Sequence, residues 1–308
     1  MRIYDRLEGL PRFRSGNAVA VGNFDGLHLG HRKIIRALVR SARTLDLSPL
    51  IITFSPHPEN VLRRRPVRLI QTLAQRLEGF RGLGADFVLI LPFDERLARL
   101  TAREFATEVL ADRLKAGEMV VGENFRFGRD RRGDVRLLHL LGKRLGFGVT
   151  AVPPVKIDGQ TVSSSLVRAR LKERRLEDAC LLLGRPYEIE GIVVRGDSRG
   201  TVFGFPTANL STGNEILPPG VSLTSAVLGR VSYPSLTNIG HRPTFGSHGL
   251  SVECHILRFR FRRELYGRRL RIRFLRKIRD EVDFRSPADL GRRILKDIEE
   301  ARVYFALP

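Results

Sequence analysis

His28, Gly30 and His31 form a His-x-Gly-His run between a short β-rich stretch at 17–24 and the helical apolar periodicity of 30–44. Residue types and place together suggest a use. The first backbone N–H groups of a helix lack intrahelical acceptors, and the helix dipole adds positive potential there, so this end of a helix binds anions. Gly30 lets a phosphate approach the backbone closely. Two imidazoles three residues apart share one helix face. The dipole lowers an imidazole pKa and a bound phosphate raises it, so the charge state is not legible in the sequence.

Three further segments have the composition of a phosphate site. Thr53-Phe54-Ser55-Pro56-His57-Pro58, Gly122-Glu123-Asn124-Phe125-Arg126-Phe127-Gly128 and Ser163-Ser164-Ser165-Leu166-Val167-Arg168 follow the second, fourth and fifth apolar runs. Hydroxyls opening a helix with an arginine one turn in make a second anion site. A glycine-rich stretch, 195–209, then carries Gly196, Gly200, Gly204, Pro206, Thr207 and Asn209. Such a loop presents backbone donors to phosphates. Thr207 and Asn209 offer hard oxygens two residues apart, suited to a nucleotide-borne Mg²⁺; a plain Gly-rich hairpin remains the alternative.

The elements that must position these residues divide the chain. Strand-like runs at 17–24, 49–54, 86–93, 118–121 and 148–155 alternate with helical patterns at 30–44, 73–83, 102–114 and 135–145. That alternation predicts an α/β, Rossmann-like domain with a parallel sheet and ligands at the carboxyl ends of its strands. A helix over 166–183 ends at Gly184-Arg185-Pro186. Strands are expected at 187–194, 225–231, 250–259 and 270–274, and a helix from Pro287 to about Tyr304. The expected domains are therefore 1–183 and 184–308, the second a mostly antiparallel β domain ending in a helix.

Composition narrows the function classes. With 308 residues, two domains are the default. No apolar run approaches the roughly 20 residues of a membrane span, and residues 1–10 have no secretory h-region, so a cytoplasmic location is expected. Two cysteines, Cys180 and Cys254, are too few for a disulfide framework or a four-cysteine zinc site. The net charge is +21, with seven lysines among 54 basic residues. The arginines are scattered and aromatics are only 7%, a pattern that argues against dedicated nucleic-acid binding and fits polyphosphate substrates or solvated faces.

GNFDGLHLGH, TFSPHP, GENFRFG and SSSLVR, in that order and spacing, resemble the adenylyltransferase module of bacterial bifunctional FAD synthetases. GFPTAN at 204–209, Thr237-Asn238-Ile239-Gly240, Val252-Glu253-Cys254-His255, Leu265-Tyr266-Gly267 and Ile278-Arg279-Asp280-Glu281 resemble the riboflavin kinase module, an antiparallel β-barrel. The resemblance implies FAD biosynthesis: ATP-dependent phosphorylation of riboflavin to FMN, then adenylylation of FMN to FAD with release of pyrophosphate. In the first module it implies that His28 and His31 stabilise the transition state. Arg168, Ser164 and Ser165 would hold the outgoing phosphates, and Gly22, Asn23, Phe24, Asp25, Gly30 and Asn124 would line the nucleotide site. In the second it implies Glu253 as general base, Thr207 and Asn209 on Mg²⁺, and Gly196, Gly200, Gly204, Pro206 and Arg279 at the nucleotide. ATP, riboflavin, FMN and FAD are the implied partners, with a homo-oligomer left open.

The chain departs from the family pattern in places. Gln75-Arg76 stands where a Glu-Lys pair is expected, and Arg174 where the family has glycine; both positions read as peripheral to the phosphate chemistry. Ser222-Leu223-Thr224-Ser225-Ala226 replaces an expected Tyr-Ala, which predicts a shifted strand and a missing aromatic near the flavin. Rival readings are loss of the kinase alone, an acceptor other than FMN, and a basic RNA-binding protein on an enzyme scaffold. His57 reads as a turn residue and His139 as a packing residue.

Overall fold

The computed structural model describes residues 1–11, 13–62, 66–196, 205–241, 250–259, 265–282, 284 and 286–307. The chain divides into two compact units: Met1–Leu69 with Leu73–Ser164, and Ile70–Thr72 with Ser165–Pro308.

The first unit is built on β1 (Arg2–Tyr4), β2 (Asn17–Val21), β3 (Ser48–Phe54), β4 (Phe87–Leu91), β5 (Ala116–Gly122) and β6 (Gly148–Val152). All pairings are parallel, in the order β1-β4-β3-β2-β5-β6. Because β3 and β5 flank β2 on opposite sides, the winding reverses at β2, and the crevice beyond its carboxyl end is where such a sheet takes ligands. Side-chain alternation explains the almost uniformly apolar strands. Val19 and Val21 pack with Leu50, Ile52, Leu110 and Leu138. Ala18 and Ala20 pack on the other face with Ile35, Leu38 and Phe80.

Those faces are covered by α1 (Leu29–Thr44), α3 (Leu73–Gly82), α4 (Glu95–Arg99), α5 (Ala102–Glu104) and α6 (Val135–Leu145), while α2 (Pro58–Leu62) has no buried residue. α5 opens on a capping box between Thr101 and Glu104 and runs on in π-helical form over Phe105–Arg113. The Asp134 carboxylate accepts from the Leu137 N–H at the start of α6, and Gly146 closes it at φ 86. β1 escapes the sequence reading because three mixed residues carry no periodicity. A short hairpin, β7 (Lys156–Ile157) and β8 (Gln160–Thr161), precedes the last segment of the unit.

The predicted helix over 166–183 is two helices, α7 (Ser164–Lys172) and α8 (Leu176–Leu183), broken where Arg174 takes φ 61. The barrel is closed and antiparallel. It comprises β9 (Tyr187–Val194), β10 (Ala208–Thr212), β11 (Gly220–Leu228), β12 (Val231–His241), β13 (Leu250–Ile256) and β14 (Arg269–Arg279), in the order β10-β13-β12-β11-β14-β9. The strand expected at 225–231 instead spans the turn at Gly229, φ 62, that joins β11 to β12. β10 and β12 were not anticipated, since Ala-Asn-Leu-Ser-Thr is half polar and Pro234 interrupts the other. α9 (Pro287–Tyr304) falls where predicted, with the Ser286 hydroxyl accepting from the Asp289 N–H at 3.2 Å.

β11 pairs with β12 continuously from Gly220 to Leu228, whereas its pairing with β14 is irregular at Val221/Ser222 and Leu223/Thr224, within the segment that departs from the family pattern. Thr224, fully buried, shares hydrogen bonds of 2.8 Å with Ser235 and with Thr237. A hydroxyl ladder thus fills this part of the barrel interior.

Candidate active sites

The loop Gly22–His28 leaves β2 at the reversal point. Phe24, Gly26 and Leu27 all have positive φ (50, 83 and 42), so the backbone is coiled tightly before α1 begins. His28 is the N-cap: its Nδ1 accepts from the His31 N–H at 3.3 Å. An imidazole that accepts at Nδ1 carries its proton on Nε2. The His28 and His31 rings stack, with centroids 3.6 Å apart and 22° between planes. Gly30 lies close under the first ring: a Cβ there would sit 3.1 Å from His28 Cε1, so the imidazole would have to give by a few tenths of an ångström. The sequence-predicted pair is brought together at a helix N-terminus.

α3 holds this loop. The Arg76 guanidinium, 4% exposed, donates through Nη1 to the Asn23 carbonyl at 2.5 Å, beside Asp25. The Thr53 hydroxyl donates to the same carbonyl at 3.2 Å. Phe80 meets Phe24 edge to face, with centroids 5.6 Å apart, and Leu27 lies against Gly79, which has no room for a Cβ. Arg76 thus contacts the loop directly, across 53 residues of sequence.

Asn124 is exposed after β5, its Oδ1 close over Gly122. Within the first unit, the Ser164 hydroxyl donates to the Asp25 carbonyl at 2.8 Å. Ser165 and Arg168 follow on the first turns of α7, in the second unit. His57 is buried, and its Nδ1 accepts from the Glu59 N–H at 3.2 Å, a local turn role.

On the barrel, Ala208 pairs with Cys254, and both are buried inward. The next pair, Asn209 with Glu253, therefore lies on the opposite face, and Asn238 pairs with Glu253 from the other side. Asn209, Glu253 and Asn238 form a row across three strands. The Asn209 amide is packed on Gly196, where a Cβ would come within 2.1 Å of its nitrogen. Just before β10, the Pro206 carbonyl accepts from His255 Nδ1 at 2.9 Å. Burial pulls the His255 imidazole below its ordinary pKa, and that bond opposes the shift. His255 was not singled out from sequence. Arg195 lies over the Tyr266 ring at 6.0 Å.

Arg279 is engaged by α9, its Nε and Nη2 donating to Asp297 Oδ2 at 2.9 and 2.8 Å. Gly200 and Gly204 lie outside the described residues. Among the described residues there is no cluster of three His, Cys, Asp or Glu able to hold a metal. Nor is any described helix long and apolar enough to cross a membrane.

Known proteins resemble this chain along nearly its whole length. The FAD synthetase family model matches residues 10–166, and the riboflavin kinase model matches residues 183–305. The bifunctional riboflavin kinase/FMN adenylyltransferase of Escherichia coli (strain K12) is 36% identical over 298 residues, covering 96% of this chain and 94% of its own. That of Pseudomonas fluorescens is 37% identical over 310 residues, covering 99% and 98%. A solved structure described as a macrolide-efflux protein from Streptococcus pneumoniae superposes with a TM-score of 0.87 at 27% identity, over 98% of both chains. With two family models in tandem and full-length relatives at this identity, the chain belongs to the bifunctional riboflavin kinase/FMN adenylyltransferase family.

Proposed function

We infer that the chain makes FAD from riboflavin in two ATP-dependent steps, with residues 184–308 phosphorylating riboflavin and residues 1–183 adenylylating the FMN. The observation that carries the second step is the stacked His28–His31 pair on the N-terminus of α1, beyond β2. An FMN phosphate oxygen attacks the α-phosphorus of ATP, the bond to the β-phosphate oxygen breaks, and pyrophosphate leaves. No protein nucleophile is needed, so catalysis consists of positioning and charge stabilisation. His28 donates from Nε2 and His31 acts beside it on the charge developing at the phosphates. Gly22, Asn23, Phe24, Asp25, Gly30 and Asn124 line the nucleotide, with Ser164, Ser165 and Arg168 on the phosphates that leave.

In the kinase step Glu253 takes the proton from the riboflavin 5′-hydroxyl as that oxygen attacks the γ-phosphorus and ADP leaves. Gly196, Gly200, Gly204 and Pro206 give the loop that cradles the nucleotide phosphates, and Arg279 serves the same site with its guanidinium set by Asp297. The donor chemistry fits Mg²⁺: a threonine hydroxyl, an asparagine amide fixed on Gly196 and a carboxylate directly across the strand pair are hard oxygens, without sulfur. Thr207 and Asn209 would hold the ion, which when bound neutralises charge on the ATP phosphates. A cytoplasmic location belongs to the same proposal.

The test is incubation of the purified chain with riboflavin, ATP and Mg²⁺, with the flavins separated over time. FMN should appear first and FAD after it. FAD formed only from supplied FMN would mean that the kinase is lost, and no FAD from either would refute the assignment.

A further inference from the structure

We infer that Arg76 is a positioning residue for adenylyl transfer, acting through the Asn23–Asp25 loop that it grips from below; the inference rests on the proposed chemistry of that loop.

Four observations converge on α3. Arg76 bonds the Asn23 carbonyl at 2.5 Å, Gly79 seats Leu27, Phe80 packs edge-on to Phe24, and Asp25 is charge-coupled to the guanidinium. The loop they hold contains three consecutive-turn residues at positive φ, two of them non-glycine. At the non-glycine positions such backbone is strained and persists only where its surroundings over-determine it. α3 supplies those surroundings, and it does so on the loop that delivers His28 to the helix N-terminus.

Stability alone would not choose this device. A guanidinium that is 4% exposed carries a large desolvation cost, and its buried Nε–H finds no hydrogen-bond partner among the described residues. An apolar side chain of similar length would fill the space at lower cost. What an apolar side chain cannot do is fix a carbonyl and present positive charge beneath Asp25. The charge sets where the Asn23 and Asp25 backbone lies, and a displacement of about 1 Å there is worth on the order of a hundredfold in rate.

The experiment compares Arg76→Lys, Arg76→Gln, Arg76→Met and Arg76→Ala with the unaltered chain. FMN adenylylation and riboflavin phosphorylation are measured in the same preparations, alongside thermal melts. Arg76→Gln and Arg76→Met should lose about a hundredfold in kcat for FAD formation with KM for ATP little changed. Riboflavin phosphorylation should stay at the unaltered rate. Arg76→Lys should keep most of the activity, and millimolar guanidinium ion should restore part of it to Arg76→Ala. Wild-type kcat in a folded Arg76→Met chain would overturn the inference. So would activity losses that track the melts and ignore both guanidinium and the lysine variant, since that is structural support only. If Arg76→Gln and Arg76→Met fail to fold, Arg76→Lys and the guanidinium response decide. An unaltered chain that makes no FAD from FMN would instead sink the reading of the site itself.

Discussion

His28 and His31 stack at 3.6 Å, and a single hydrogen bond, from the His31 N–H to His28 Nδ1, sets both the cap of α1 and the tautomer of the first ring. The two imidazoles are thus one structural unit with two chemical edges. Removing His31 leaves its backbone N–H to the cap but takes away the ring that stacks on His28. His31→Ala should abolish FAD formation from FMN while riboflavin is still phosphorylated at an undiminished rate. Chromatography of the flavins from one reaction gives both answers, and loss of both activities in a folded variant would contradict the division of labour.

The converse variant lies on the barrel. Glu253 sits between Asn209 and Asn238 in the cross-strand row, with Cys254 pointing to the other face. Glu253→Gln preserves shape and hydrogen bonding but cannot take a proton. Riboflavin phosphorylation should fall by about 10² to 10⁴, the usual contribution of a general base. FMN supplied directly should still become FAD.

What the sequence made legible was local. His28, Gly30 and His31 lie within four residues, so their shared helix end follows from spacing alone. The βα alternation likewise fixes a parallel sheet. The contacts of Arg76 and His255 are not legible for the same reason in reverse: their partners, the carbonyls of Asn23 and Pro206, are 53 and 49 residues away and carry no side-chain signature. The barrel strands were read less well than the α/β half. Their inward positions include Thr224, Ser235 and Thr237, whose hydroxyls satisfy one another and so break the apolar alternation on which strand recognition depends.

Gly196 tests the metal assignment without touching a ligand. A Cβ at that position would meet the Asn209 amide at 2.1–2.6 Å. Gly196→Ala should therefore push the amide oxygen off its place and raise the Mg²⁺ concentration needed for half-maximal kinase activity, by about tenfold if Asn209 is a ligand. FMN adenylylation at fixed Mg²⁺ should not change. An unshifted Mg²⁺ dependence would separate Asn209 from the ion.

His255 gives a pH signature. Burial holds its folded pKa below the ordinary 6.5, so between those two values the unfolded chain binds more protons than the folded one. The contribution of the neutral imidazole is complete above the ordinary value and is lost as pH falls through it toward the folded value. Thermal melts taken from neutral pH to about pH 5 should decline in this window. His255→Asn, which can still donate to the Pro206 carbonyl, should flatten that part of the curve. A decline of equal slope in the variant would place its origin elsewhere.

The two thiols test burial directly. Cys254 is fully buried, and its pKa is pushed up to about 11, mainly by desolvation against hydrogen bonds from the hydroxyls of Thr237 and Ser235. At pH 8 that leaves about one thiol in a thousand ionised, and the thiolate is the reactive form. Burial also raises Cys180, although the Tyr187 N–H donates to its sulfur. Neither should react with a disulfide reagent such as Ellman's at pH 8 on the timescale of a free cysteine, and both should react at once in denaturant. Rapid modification of one thiol in the native chain would identify Cys180, because Cys254 can be reached only by opening the barrel.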